Sequence, residues 1–192
     1  DFQMKRDAQN SGYFWLEISN LEPKKEYAFQ YAVKTADGVI KITDAYTEKV
    51  LDPWNDQYIS QDIYPNLKSY PRQTDGLTAV FQTGKEPFKW SNATLNFKNP
   101  DRNNLVIYEL WVHDFSPARS IKGVINRLDY LQNLGVNVIE LMPICEFDGN
   151  ISWGYNPHHY FAPDKAYGTP EDYKTLVDEA HKRGMAVILD MV

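Results

Sequence analysis

Cysteine is all but absent. Cys145 is the only one in 192 residues, so an internal disulfide and a cysteine-based zinc site are both excluded. No apolar run approaches the roughly 18 residues that cross a bilayer, so no membrane span is expected. There is no basic stripe, and the formal net charge is −6. Nucleic acid and anionic membrane are poor partners for such a surface. Neither a P-loop nor a Gly-x-Gly-x-x-Gly turn occurs, which sets nucleotide chemistry aside. No nucleophile elbow occurs either, so a Ser-His-Asp triad lacks its serine.

What is present is ordinary for a globular chain with a real core: 43% hydrophobic and 24% charged residues. The length suits one large domain or two small ones. Aromatic residues make up 14%, with 13 Tyr and 5 Trp. That excess fits carbohydrate or protein binding, and equally a tyrosine-rich β-domain. No signal peptide is visible. Asp1 opens inside what reads as structured sequence, and residues 185–192 end the chain on an apolar run. The expectation is a segment cut at both ends. A secreted or periplasmic location is favoured over a cytoplasmic one.

The first hundred residues read as β-structure. Residues 13–18 are aromatic and apolar. Over 26–33, Tyr27, Phe29, Tyr31 and Val33 alternate onto one side. Ala36-Asp37-Gly38 signals a turn into a return strand at 39–42. Residues 77–81 read as a later strand. The spacing suggests a small antiparallel sandwich. Residues 44–72, with Pro65 and Pro71, read as an ordered loop. Trp54 and Trp90 read either as accessory sugar contacts or as buried loop anchors. The polar stretch 97–104 marks a boundary, giving domains 1–100 and 101–192.

The back half reads strand, helix, strand, loop, helix, strand. Residues 105–112 form a near-continuous apolar run, the pattern of a strand covered on both faces. A helix follows from Ser120, with Ile121, Val124, Ile125, Leu128, Leu131 and Leu134 in one stripe. Gly135 stops it. Residues 136–142 are the second strand. A long loop spans 144–168. The second helix is fully punctuated: Thr169 caps it, Pro170 takes the first position, and Glu171 and Asp172 place negative charge in the first turn. Tyr173, Leu176, Val177 and Ala180 make its buried stripe. His181, Lys182 and Arg183 precede the closing Gly184. Residues 185–192 are the third strand. Periodicity leaves a (β/α)8 barrel and a doubly wound sheet both open, yet it places the ligand face at the carboxyl edge of the strands.

On that edge lie His113, Asp114, Glu146, Asp148, Trp153, Tyr155, His158, His159 and Asp190. Trp153-Gly154-Tyr155-Asn156-Pro157 is a Gly/Pro-punctuated loop carrying two large rings. Sugar C–H faces lie flat on such rings. Packing of the loop onto the domain is the alternative use for them. His158 and His159 are adjacent, and adjacent residues on extended backbone diverge, so no metal site is assigned to them. Asp190 interrupts an apolar strand near its end, where a buried charge is costly without a partner or a function. Glu109 and Glu140 lie earlier in their strands and read as structural.

Trp153-Gly154-Tyr155-Asn156-Pro157, then Tyr160, Phe161-Ala162-Pro163 and Tyr167-Gly168-Thr169-Pro170-Glu171-Asp172, resemble the α-amylase superfamily (glycoside hydrolase family thirteen). Residues 180–192 are similar to the helix and third strand of its catalytic barrel, with Asp190 in the first signature region. Residues 108–112 resemble the first barrel strand of branching-enzyme-like and pullulanase-like members, which often carry His where this chain has Trp111. The front half is similar to the immunoglobulin-like module that precedes such barrels. The resemblance implies a β-sandwich followed by an incomplete (β/α)8 TIM barrel of three strands and two helices. It implies part of a retaining glycoside hydrolase acting on α-glucans such as starch, glycogen, pullulan or maltooligosaccharides. Such enzymes hold two carboxyl groups about 5–5.5 Å apart.

In the family those carboxylates stand on later strands, so no catalytic residue is named here, and the segment alone is expected to be inactive. By position, Tyr155 matches the ring that stacks on the sugar, Asp190 supports the active-site network, and Trp153 lines the cleft. No cofactor is required, and a Ca2+ ion in the full-length enzyme stays open. A branching or transglycosylating enzyme, a non-catalytic glucan-binding protein that uses Trp54 and Trp90, and a structural domain with a dead barrel are the alternatives.

Overall fold

The computed structural model describes residues 2–192. Asp1, read above as opening inside structured sequence, lies outside the described residues.

The front half is antiparallel, in three small sheets. Strands β1 (Lys5–Arg6) and β2 (Phe14–Trp15) form an exposed pair. Strands β3 (Glu26–Phe29), β6 (Val50–Leu51) and β7 (Thr78–Gln82) make a sheet in the order β3-β7-β6, and β4 (Tyr31–Thr35) and β5 (Gly38–Ile42) form a hairpin. The single strand expected over 26–33 is therefore two. It divides at Gln30, whose side-chain amide donates to the carbonyls of Asp75 and Leu77 at 2.8 and 2.7 Å. Within β3 the alternation holds. Tyr27 stacks on Phe81 of β7, and Phe29 meets Phe81 edge-on. The loop expected over 44–72 contains β6, whose Val50 and Leu51 are fully buried.

The back half follows the expected order of elements. Strands β8 (Ile107–Leu110), β9 (Val138–Leu141) and β12 (Ala186–Leu189) form one parallel sheet, ordered β12-β9-β8. Short helix α1 (Asn92–Leu95) precedes it, and α2 (Val112–Phe115) follows β8. Leu110, Ile139 and Leu141 point into a core shared with Ile121, Val124, Leu128, Leu131, Tyr173, Leu176 and Met185. Strand alternation then puts Ile107, Glu109, Glu140 and Ile188 on the other face.

Three expectations change here. Residues 105–112 are not covered on both faces: Leu105, Val106 and Ile107 are exposed. β8 is an edge strand of the sheet, and Ile107 and Glu109 on its second face are exposed. The first helix is two, α3 (Ile121–Ile125) and α4 (Leu128–Asn133). Asn126 is a weak helix former, and the Arg127 N–H there donates three residues back to Val124 O at 2.9 Å, tightening one turn. Leu134 falls past the end of α4 and is 56% exposed. The loop 144–168 contains an antiparallel pair, β10 (Cys145–Phe147) with β11 (Pro157–Pro163).

The second helix, α5 (Pro170–Lys182), forms as its punctuation dictates. Thr169 Oγ1 accepts from the Asp172 N–H at 3.1 Å, and the Asp172 carboxylate accepts the Thr169 N–H at 2.9 Å. This reciprocal box satisfies two donors that the helix start leaves free.

Candidate functional site

Chain direction brings three segments together at the carboxyl edge of the parallel sheet: Trp111 after β8, the Trp153 loop after β10, and Asp190 after β12. The Asp190 N–H donates to Leu141 O at 2.9 Å, extending the ladder by one residue. That bond fixes the backbone beneath its carboxylate. Tyr155 Oη donates to Asp190 Oδ2 at 2.5 Å, joining positions 35 residues apart. The hydrogen bond to Asp190 pushes the Tyr155 hydroxyl up to about 12, helped by burial and by the charges of Asp190, Glu109 and Glu140. The phenol therefore stays protonated, a donor, throughout the neutral range.

Glu109 and Glu140 were set aside in the sequence as structural. They are paired in register on adjacent strands, and their field reaches Tyr155. Asp190 alone contacts the tyrosine hydroxyl; the two glutamates act on it only through their charge. The missing signal was register. Only the pairing of β8 with β9 puts two mid-strand glutamates side by side.

The loop that carries the rings is tightly held. Trp111 Nε1 donates to Ser152 O and to Tyr167 Oη, both at 2.8 Å, and Tyr167 Oη donates to Ser152 O at 2.9 Å. The Gly154 N–H donates to Ser152 Oγ at 3.0 Å. Gly154 sits at φ 91°, and a Cβ there would stand 2.2 Å from Pro143 O. Only glycine fits both the backbone angle and the space. Trp153 is 62% exposed. Its ring meets Trp111 edge-to-face at 6.4 Å, and His113 stacks on the other indole at 4.9 Å.

Other candidates go elsewhere. Glu146 is buried, not displayed on the edge. It pairs with the buried Lys165, which also reaches Asp56 of the front half at 3.3 Å. Burial raises the Glu146 carboxyl more than Lys165 lowers it, and burial raises Asp164 well above the carboxylate range. Burial alone would lower the Lys165 ammonium, but Glu146, Asp56 and Asp164 outweigh it. Three carboxylates share one ammonium, and burial makes their surplus negative charge costly. His159 is buried, and its Nε2 lies 2.7 Å from Thr43 Oγ1, a contact that ties β11 to the front half. The His158 and His159 rings diverge by 75°. Asp148 is exposed. Among the described residues no group of three or more His, Cys, Asp or Glu side chains is placed to hold a metal.

Trp54 is exposed. Its neighbour Asn55 accepts a hydrogen bond from the Asn150 amide at 2.8 Å, so the Trp54 loop abuts the loop leading to Trp153. Trp90 instead packs edge-on against Phe88 at 4.7 Å. A cavity of about 360 Å³ lies apart from the sheet edge, between the front sheet and the start of α5, lined among others by Phe29, Lys49, Tyr64 and Glu171. At the sheet edge the Trp153 and Tyr155 rings are both exposed.

Residues 87–192 match the family model described as alpha amylase, catalytic domain. The chain belongs to the α-amylase family. Among relatives, it is 41% identical over 191 residues to a malto-oligosyltrehalose trehalohydrolase of Saccharolobus solfataricus, covering 100% of this chain and 28% of that protein. It is 30% identical to a 1,4-alpha-glucan branching enzyme of Methylococcus capsulatus, covering 95% of this chain and 23% of the relative. The chain thus spans little more than a quarter of the first relative's length. Among solved structures, it superposes on a putative alpha amylase from Salmonella typhimurium with a TM-score of 0.70 at 29% identity, covering 98% of this chain and 27% of the other. A Group B Streptococcus pullulanase gives 0.61 at 26%, covering 86% and 24%. These structural neighbours are TIM-barrel proteins, a fold whose ligand edge is the carboxyl one.

Proposed function

We propose that this chain forms the front part of an α-glucan-active glycoside hydrolase or transglycosylase, and that Trp153, Tyr155 and Asp190 belong to its saccharide site. One observation carries the reading: the hydrogen bond from Tyr155 to Asp190 holds an aromatic ring and a carboxylate together at the carboxyl edge of the sheet. The ring offers a face to sugar C–H groups, and the carboxylates of Asp190, Glu109 and Glu140 accept from hydroxyls. The trehalohydrolase and branching-enzyme relatives act on glucans by name, and the streptococcal pullulanase has been crystallised with maltotetraose. No nucleophile or acid is assigned among these residues. Residues 1–100 are proposed as an immunoglobulin-like module and residues 101–192 as barrel. Trp54, exposed beside the loop, is proposed as an accessory glucan contact. Trp90, packed on Phe88, serves better as an anchor.

The test is titration of this chain with maltotetraose, followed by calorimetry. Trp153→Ala and Tyr155→Ala are each expected to weaken binding about fivefold to tenfold, the value of one aromatic stacking contact. Unchanged affinity in both variants, at unchanged thermal stability, would remove the platform from the saccharide site.

A further inference from the structure

Trp153 poses a physical problem. An indole 62% exposed has little packing to hold its plane, and a ligand that stacks on a mobile ring must pay to order it. Its ring meets Trp111 edge-to-face at 6.4 Å, with the planes at 86°. Trp111 also grips the backbone immediately before it. Its indole N–H donates to Ser152 O and to Tyr167 Oη, each at 2.8 Å. Tyr167 is itself buried and donates to the same carbonyl at 2.9 Å. Those three atoms form a closed triangle on the peptide that leads into Trp153.

We propose that Trp111 is the positioning residue of the platform: it fixes the plane of Trp153 through the Ser152 carbonyl and the ring edge, and so sets saccharide affinity through Trp153. The proposal rests on the saccharide reading above for its effect on affinity, and on geometry alone for its effect on Trp153. Trp111 directly follows β8 and takes the N-cap position of α2 on the loop side of the sheet edge. Its ring is half-buried and packs against the core, so it is a rigid support. His113, stacked on it at 4.9 Å, braces the indole from the next turn.

The experiment is a double-mutant cycle on this chain, with maltotetraose as the probe. Trp111→Phe keeps a ring and loses the N–H. It is expected to weaken binding about threefold to tenfold, and to cost less than twofold when Trp153→Ala is already present. Trp111→His restores a ring N–H and should recover part of the loss. Tyr167→Phe removes the other donor to Ser152 O and should act in the same direction, which covers a Trp111 variant that fails to fold. A fluorotryptophan-labelled sample gives a readout without saccharide: the Trp153 resonance, assigned by its absence in Trp153→Ala, should broaden or split in Trp111→Phe. Equal loss of affinity in the two Trp153 backgrounds overturns the proposal. So does a sharp, unmoved Trp153 resonance in Trp111→Phe. If that resonance broadens while Trp153→Ala leaves affinity untouched, the positioning stands and the saccharide reading fails.

Discussion

Gly154 shows how much one residue decides. It stands between the two rings, at φ 91°, with Pro143 O occupying the place where a Cβ would go. Gly154→Ala meets a left-handed backbone penalty and a backbone clash together. It is expected to cost about 2 kcal/mol or more in urea unfolding and to abolish maltotetraose binding. A variant of wild-type stability would show that the loop relaxes around the methyl group. Gly154 and Tyr155 were both visible in the sequence as a punctuated aromatic loop. Glu109 and Glu140 were visible only as carboxylates in apolar strands. Their side-by-side pairing depends on register across β8 and β9, and nothing local encodes it.

The hairpin of β10 and β11 shows the same contrast at the scale of an element. β10 has only 3 residues, and the pairing shifts register on both sides of Glu146, so period-2 reading had little to find. The hairpin packs Phe147 into the core and carries a buried ion pair beside it. Lys165 is buried between Glu146 and Asp56. Lys165→Met removes the only cation of that cluster and leaves its carboxylates unpaired, at a cost of about 3–5 kcal/mol at neutral pH. The sign with pH follows. Glu146 and Asp164 are already raised in the folded protein, and loss of the ammonium raises them further. Stability from a raised carboxyl is present at acid pH and is lost as pH rises through the folded value. The deficit of Lys165→Met should therefore shrink between pH 7 and pH 5 in chemical-denaturation curves. A pH-independent deficit would mean that the cluster is not charged as described.

The two halves of the molecule are joined by polar and aromatic side chains at several separate positions. Asp178 of α5 accepts from the Ser91 N–H at 2.9 Å and from Thr94 Oγ1 at 2.7 Å. Phe97 stacks on His181 at 3.8 Å. Elsewhere, Thr43 meets His159, and Asn55 meets Asn150. Burial works to raise the Asp178 carboxyl, but the hydrogen bonds from Thr94, Ser91 and Lys182 outweigh it and hold it well below the carboxylate range. A depressed carboxyl gives stability above its unfolded value that is lost as pH falls. Acid should therefore loosen this joint below about pH 4. Asp178→Ala is expected to lower stability at pH 7 and to flatten the acid limb of the stability curve. Hydrogen exchange at Ser91 and Thr94 would locate the loss. An acid limb of unchanged slope would place the transition elsewhere.

The caps of α5, the alternation of strand and helix along the back half and the aromatic loop were all determined by the sequence itself. Each rests on contacts within a turn of helix or on the period of a single strand. Thr169, Pro170, Asp172 and Gly184 need no distant partner to do their work. Tertiary structure alone decided the division at Gln30, the exposure of β8, the burial of Glu146 and the pairing of Tyr155 with Asp190. Each of these depends on what the fold brings alongside. An apolar run is buried only where a neighbouring layer covers it, and a charged side chain goes inside only where a partner from a distant part of the chain meets it there.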